Sequence, residues 1–191
     1  VRAESIDEMK HADQVIERAD FVELDAQVVA DLRAAAPAID AAIPAVLDGF
    51  YQFFTACPET ARLVPAQAIA PLKRQVASYW RELARGEFDR PYAASRSRIG
   101  VVHERIGLSI ELYLIGVARQ TIDLMHRVAP TTADPAGFVR ALVRAVFFDL
   151  SFVLDAYLDA RATALLRAEG FAAALLARLP AGVAVVDGPR L

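Results

Sequence analysis

The sequence predicts an all-helical domain, and three observations carry that prediction. Glycine and proline number 9 and 10 among 191 residues and fall in clusters. Alanine, leucine and arginine, all good helix formers, dominate between those clusters. No stretch alternates apolar and polar side chains with period two over several positions, whereas apolar residues recur at spacings of three and four.

The elements follow in order. Ser5 and Glu8 form a capping-box pattern that opens a short helix to about Arg18, with polar and apolar positions mixed, so residues 1–20 read as an extension more than as core. Leu24 and Asp25 start a helix that Pro37 is expected to end. A second runs from Pro37 towards Ala56, with Leu47, Phe50 and Phe54 on one face. Cys57 and Pro58 break it, and an irregular stretch follows through Pro65. Pro71 suits the first turn of the next helix, whose stripe is Leu72, Val76, Tyr79, Trp80 and Leu83 and whose end is Gly86. From Tyr92 a helix carries Ile99, His103 and Ile106 on one side, and Leu108 to Val128 forms another. After a loop over Ala129 to Ala133, Asp134-Pro135 signals a long helix to Gly170, apolar over so wide an arc that it suits two neighbours, one of them a second subunit. Phe171 to Leu176 is still helix-like. Leu179-Pro180-Ala181-Gly182 then breaks the chain before Val183-Ala184-Val185-Val186, a β-type run closed by Asp187-Gly188 and read as the opening of a further domain.

Composition bounds the function. With 21 Lys+Arg against 24 Asp+Glu the net charge is −3, and the basic residues, nearly all arginine, are spread among acids. No nucleic-acid or polybasic membrane patch emerges. The single cysteine, Cys57, excludes an internal disulfide or a thiolate metal cluster, which makes the cytoplasm the default compartment. Every apolar run is broken short of a membrane span, the richest by Asp149. Val1 and the interrupted tail lead to the expectation of a processed chain or a piece of a longer one.

Few residues offer chemistry. Glu8 and His11 have the Glu-x-x-His spacing of four-helix di-iron sites, but no second pair exists. Glycine-rich phosphate loops are absent. His126, near the end of its helix, suits a macrodipole contact. His103 stands on an otherwise apolar face beside Val101, Val102 and Ile106, where it is either a satisfied core histidine or a ligand. His103-Glu104-Arg105 has a faint likeness to the phosphoaccepting histidine of sensor kinases, but Ile106-Gly107-Leu108 replaces the expected proline.

The larger pattern is more specific. Phe50-Tyr51, Leu72-Lys73-Arg74-Gln75, Tyr92, Arg96, the run Arg98-Ile99-Gly100-x-x-His103-x-Arg105-Ile106-Gly107-Leu108, and Tyr113 ten residues after the histidine resemble the globin domain of globin-coupled sensors and the related protoglobins, over roughly Phe21 to Gly170. The resemblance implies a globin fold holding heme b between its helices, with His103 as proximal iron ligand and Tyr51 as the distal residue that hydrogen-bonds a gas. It implies Leu72 as distal wall and Phe50, Phe54, Val76, Ile99, Val102, Ile106, Tyr113 and Val117 as pocket lining. Tyr113 would shift the hydrogen bonding of the histidine, its plainer role being core packing. Some members carry a small hydroxyl residue where this chain has Gln75. A phenol donates well to polar O2 and less to CO, and NO and cyanide are further ligands of such a heme. The implied role is an oxygen-sensor domain of a bacterial signalling protein, not itself an enzyme. Its last two helices would pair with a second chain, and residues 171–191 would lead to a PAS-like output module of a histidine kinase or diguanylate cyclase. The alternatives are a stand-alone protoglobin and a heme-free helical interaction domain.

Overall fold

The computed structural model describes residues 14–178, which form seven helices, two short 3-10 turns and no strand. They are α1 (14–21), α2 (Ala26–Ala56), α3 (Pro58–Ala61), α4 (Ile69–Arg85), α5 (Arg90–Arg105), α6 (Ile110–Val128) and α7 (Pro135–Arg178). The β-type run at 183–186, Glu8 and His11 lie outside the described residues. None of the described helices is long and apolar enough to cross a membrane.

Short polar side chains start four of the helices. Asp25, Asp89, Ser109 and Asp134 each accept a hydrogen bond from the backbone N–H three residues on, satisfying a donor that the first turn leaves orphaned. Two of these starts differ from the positions the sequence predicts, Tyr92 and Leu108, because the Asp89 and Ser109 caps set them at Arg90 and Ile110. Glycine closes two helices at positive φ, Gly86 (+61°) after α4 and Gly107 (+74°) after α5.

Four expectations are corrected. The break expected at Pro37 is absent, for α2 runs through both Pro37 and Pro44. The two prolines are seven residues apart on the exposed face, and Arg33 and Asp40, whose carbonyls they leave without a helical donor, are exposed too, so water can satisfy those groups. The stretch after Cys57 holds the one-turn α3, and α7 continues past Gly170 to Arg178. The N-terminal segment also contributes to the core. Val15 of α1 is buried with Tyr92, Ala93, Phe148 and Phe152, and Arg18 donates to the Ser151 carbonyl at 2.6 Å while lying 4.5 Å over the Phe152 ring.

The main core joins α2, α4, α6 and α7 through Leu32, Ile39, Ile43, Trp80, Leu83, Leu124, Phe138 and Leu142. Trp80 keeps its indole N–H satisfied by donating to Gln120 at 3.0 Å. The most extensive helix contact is that of α5 on α7. At 44 residues α7 is about 66 Å long, and over 161–172 every residue is exposed. The wide apolar arc divides as follows: Phe148 and Phe152 are buried, whereas Phe147 and Leu158 are 62% and 60% exposed.

Candidate functional site

His103 lies in the last turn of α5, half-buried. The turn ends in a double backbone closure: the Leu108 N–H donates to the His103 carbonyl at 3.1 Å and the Gly107 N–H to the Glu104 carbonyl at 2.9 Å. Only a residue at ease in the left-handed region permits that reversal, which explains Gly107. The imidazole Nδ1 is 2.8 Å from the Ile99 carbonyl, and since a carbonyl only accepts, Nδ1 carries the proton. Nε2 is thereby left as an open lone pair. Burial holds the pKa of His103 below its usual value, against the Ile99 hydrogen bond, so the ring is neutral. Neutral, with its tautomer fixed by a carbonyl behind it, is the state a metal-binding imidazole needs.

Around it the structure brings several of the sequence-selected residues together. The Tyr113 ring lies 4.8 Å from that of His103. Its hydroxyl is kept protonated by burial, with the charge of Asp149 adding to the upward shift. On α2, Phe50 meets Tyr51 at 5.1 Å and Phe54 at 5.4 Å between ring centroids. That trio reaches α6 at Gly116, where an added Cβ would stand 3.3 Å from the Phe50 ring, one residue from buried Val117. Tyr51 is buried, its pKa pushed up to about 12 by desolvation, and its hydroxyl bonds to no other described residue. It is a neutral phenol with its donor uncommitted. Lys73 lies 5.8 Å over its ring and pairs with Asp48 at 2.6 Å. Leu72, Val76 and Ile99 are partly buried against the main core.

Two expected lining residues are placed differently from an ordinary core. Val102 is 49% exposed and Ile106 47%, so neither is packed into the protein. Apolar side chains left in the open beside a neutral imidazole fit the edge of an apolar cofactor better than they fit a core histidine. Gln75 is exposed. His126 sits exposed in the last turn of α6, where the macrodipole role suits it. No cluster of three or more His, Cys, Asp or Glu residues able to hold a metal exists among the described residues.

The sequence reading missed what holds α5 in place. Gly100 rests on α7: a Cβ there would stand 2.2 Å from the Val153 carbonyl oxygen and 2.9 Å from the Tyr157 nitrogen. Arg96 is ion-paired with Asp149 at 3.0 Å, both fully buried, and the Tyr157 hydroxyl donates to the Leu108 carbonyl at 3.1 Å. The available signal was Asp149 itself, a lone charge in the most apolar run of the chain, which cannot be buried without a partner.

Comparison with known proteins follows the same lines. A family model described as Protoglobin matches residues 11–163. The heme-based aerotactic transducer HemAT of Halobacterium salinarum is 28% identical over 159 residues, a match that takes in 76% of this chain. It covers 32% of the transducer, so the chain spans about a third of that relative's length. The globin domain of a Geobacter sulfurreducens globin-coupled sensor superposes with a TM-score of 0.69 at 18% identity, over 74% of this chain and 95% of that domain.

Proposed function

The chain belongs to the protoglobin family, a globin family and hence one of heme proteins, and on that premise we propose that it is a heme-based oxygen-sensor domain in which His103 is the iron ligand. The observation that carries this reading is the imidazole itself: neutral, tautomer set by Ile99, Nε2 uncommitted, with Val102 and Ile106 exposed beside it. His103 would hold heme b, which would supply an iron able to take up diatomic gases. This chain's own residues do the rest. Ile99 holds the ring and keeps the ligand nitrogen deprotonated. Tyr51 offers a free phenolic donor, which favours polar O2 over CO. Phe50, Phe54, Leu72, Val76 and Val117 keep water away from the gas, and Tyr113 stands beside the histidine to register changes in its hydrogen bonding.

The sensing role rests on α7. Its stretch 161–172 is exposed throughout, and Phe147, Leu158, Leu165 and Leu166 present apolar surface that a second copy would cover through α6 and α7. A helix leaving the globin body in this way suits connection to an output module; a histidine kinase or diguanylate cyclase remains our proposal for it, and the Halobacterium relative is a transducer. A protoglobin acting alone would have no use for that extension.

The test is the absorption spectrum. The purified chain should show the strong Soret band of heme, and His103→Ala should yield folded, heme-poor protein. A variant retaining full heme and an unchanged spectrum would remove His103 from the iron.

A further inference from the structure

Three contacts pin α5 to α7, and they share one register. On α7, Asp149, Val153 and Tyr157 stand at i, i+4 and i+8, a single stripe. Opposite them come Arg96, then Gly100, then the Leu108 carbonyl just beyond the end of α5. His103 lies between the second and third pins, and both of its anchors adjoin them. Ile99, which holds its ring, precedes Gly100, and Leu108, whose N–H holds its carbonyl, is the residue Tyr157 grips. Any slip of α5 along α7 therefore moves the imidazole.

The first pin is chemically unlike the others. A buried ion pair is on average no more stabilising than apolar residues of the same volume, so stability alone does not account for it. Arg96 is also held without Asp149: its guanidinium lies 4.4 Å from the Tyr79 ring and 4.1 Å from the Tyr92 ring, and it donates to Glu82 at 3.2 Å and to the Tyr79 carbonyl at 3.3 Å. Only Nε faces Asp149. Asp149, 0% exposed, accepts from the Tyr92 hydroxyl at 2.5 Å on one oxygen, while the other stands 3.0 Å from Arg96 Nε, an ionic contact without a well-formed hydrogen bond. The titratable groups facing it are Arg96 and Tyr92 from α5, Tyr79 from α4 with Glu82 behind Arg96, and Tyr113 from α6. The Tyr79 hydroxyl is buried with no well-formed hydrogen bond of its own.

We propose that the Arg96–Asp149 pair is a positioning latch for His103, drawing α5 onto α7 while Asp149 is ionised and slackening when Asp149 takes up a proton, so that protons act on the histidine through the helix contact. Burial lifts the Asp149 carboxyl from 3.8 to about 6, against the pull of Arg96 and the tyrosines. The charged, latched form then prevails above that pH and the neutral form below it. The proposal rests on His103 being the iron ligand.

The experiment is resonance Raman of the heme-loaded ferrous chain from about pH 5 to pH 8, reading the iron–histidine stretching band. The wild type should show a one-proton step with its midpoint at about 6, and Asp149→Asn should abolish it. Because Asp149→Asn leaves Arg96 charged and underpaired, the double variant Arg96→Met with Asp149→Leu guards against misfolding: it should bind heme and give a flat profile. Arg96→Lys, which keeps the charge and loses the planar guanidinium with its Glu82 and Tyr79 contacts, should retain the step at a shifted midpoint; a purely structural pair would alter stability and leave the band fixed. A wild-type band that does not move, or a step unchanged in Asp149→Asn, overturns the latch while His103 stands. An iron–histidine band that survives His103→Ala overturns the ligand assignment and the latch together.

Discussion

Replacing Gly100 by alanine sets two known effects of opposite sign against each other. On an exposed helix the change stabilises by about 1 kcal/mol, because alanine is the better helix former. Here the new Cβ would stand 2.2 Å from the Val153 carbonyl oxygen, 3.1 Å from its carbon and 2.9 Å from the Tyr157 nitrogen. All three are backbone atoms inside a helix, with no rotamer to turn aside. A carbon normally approaches a carbonyl oxygen to about 3.3 Å, so α5 and α7 must part by about 1 Å along that line. Overpacking of this kind costs about 1–3 kcal/mol, and the parting also stretches the Arg96–Asp149 and Tyr157–Leu108 contacts on either side. The clash therefore wins, and we expect a net loss of about 2 kcal/mol, the upper part of that range less the propensity gain. Urea unfolding followed by far-UV circular dichroism measures it, with and without heme. A midpoint that rises with an unchanged slope would refute the reasoning, since it would mean that the helices do not meet at Gly100.

Two further outcomes follow from the site and the surface. Tyr51→Phe should speed oxygen dissociation by the equivalent of about 1.5–3 kcal/mol, one hydrogen bond to a strongly polar acceptor, and leave CO binding little changed; equal effects on both gases in flash photolysis would point to altered packing. Sedimentation of the purified chain at micromolar concentration should show a dimer formed through α6 and α7, because Phe147, Leu158, Leu165 and Leu166 are exposed on one element; a monomer that persists as concentration rises refutes the bundle.

How far the sequence could be read depended on whether a feature was local. The helix stop at Gly86 and the start at Asp134 are settled by one or two residues and their own backbone, and both were legible. The continuity of α2 was not. Proline forbids one donor and crowds one turn wherever it stands, but whether the helix survives depends on which way the freed carbonyl faces, a property of the fold and not of the residue. Val15 and Arg18 were unreadable for a related reason: their partners Phe148, Phe152 and Ser151 lie more than 130 positions away. Asp149 could be recognised only as an interruption, since nothing local names Arg96 as its partner.

The motif around His103 shows the same division within one short run. Its glycines have separate reasons, one conformational and one steric: Gly107 takes a positive φ that reverses the chain, and Gly100 has no room for a side chain. Its isoleucines divide likewise, for Ile99 faces the core and lends the histidine a carbonyl, whereas Ile106 is 47% exposed. A pattern of this kind specifies a helix end fitted to another helix as closely as to a cofactor. The receiving stripe of Asp149, Val153 and Tyr157 is written in unremarkable residues, because α7 contributes a backbone carbonyl as its central contact. Backbone atoms leave no signature in side-chain identity. Half of what holds His103 is therefore invisible to any reading of residue types, and yet the four-residue rise shared by Arg96–Gly100 and Asp149–Val153 requires α5 and α7 to run in matched register beneath the histidine.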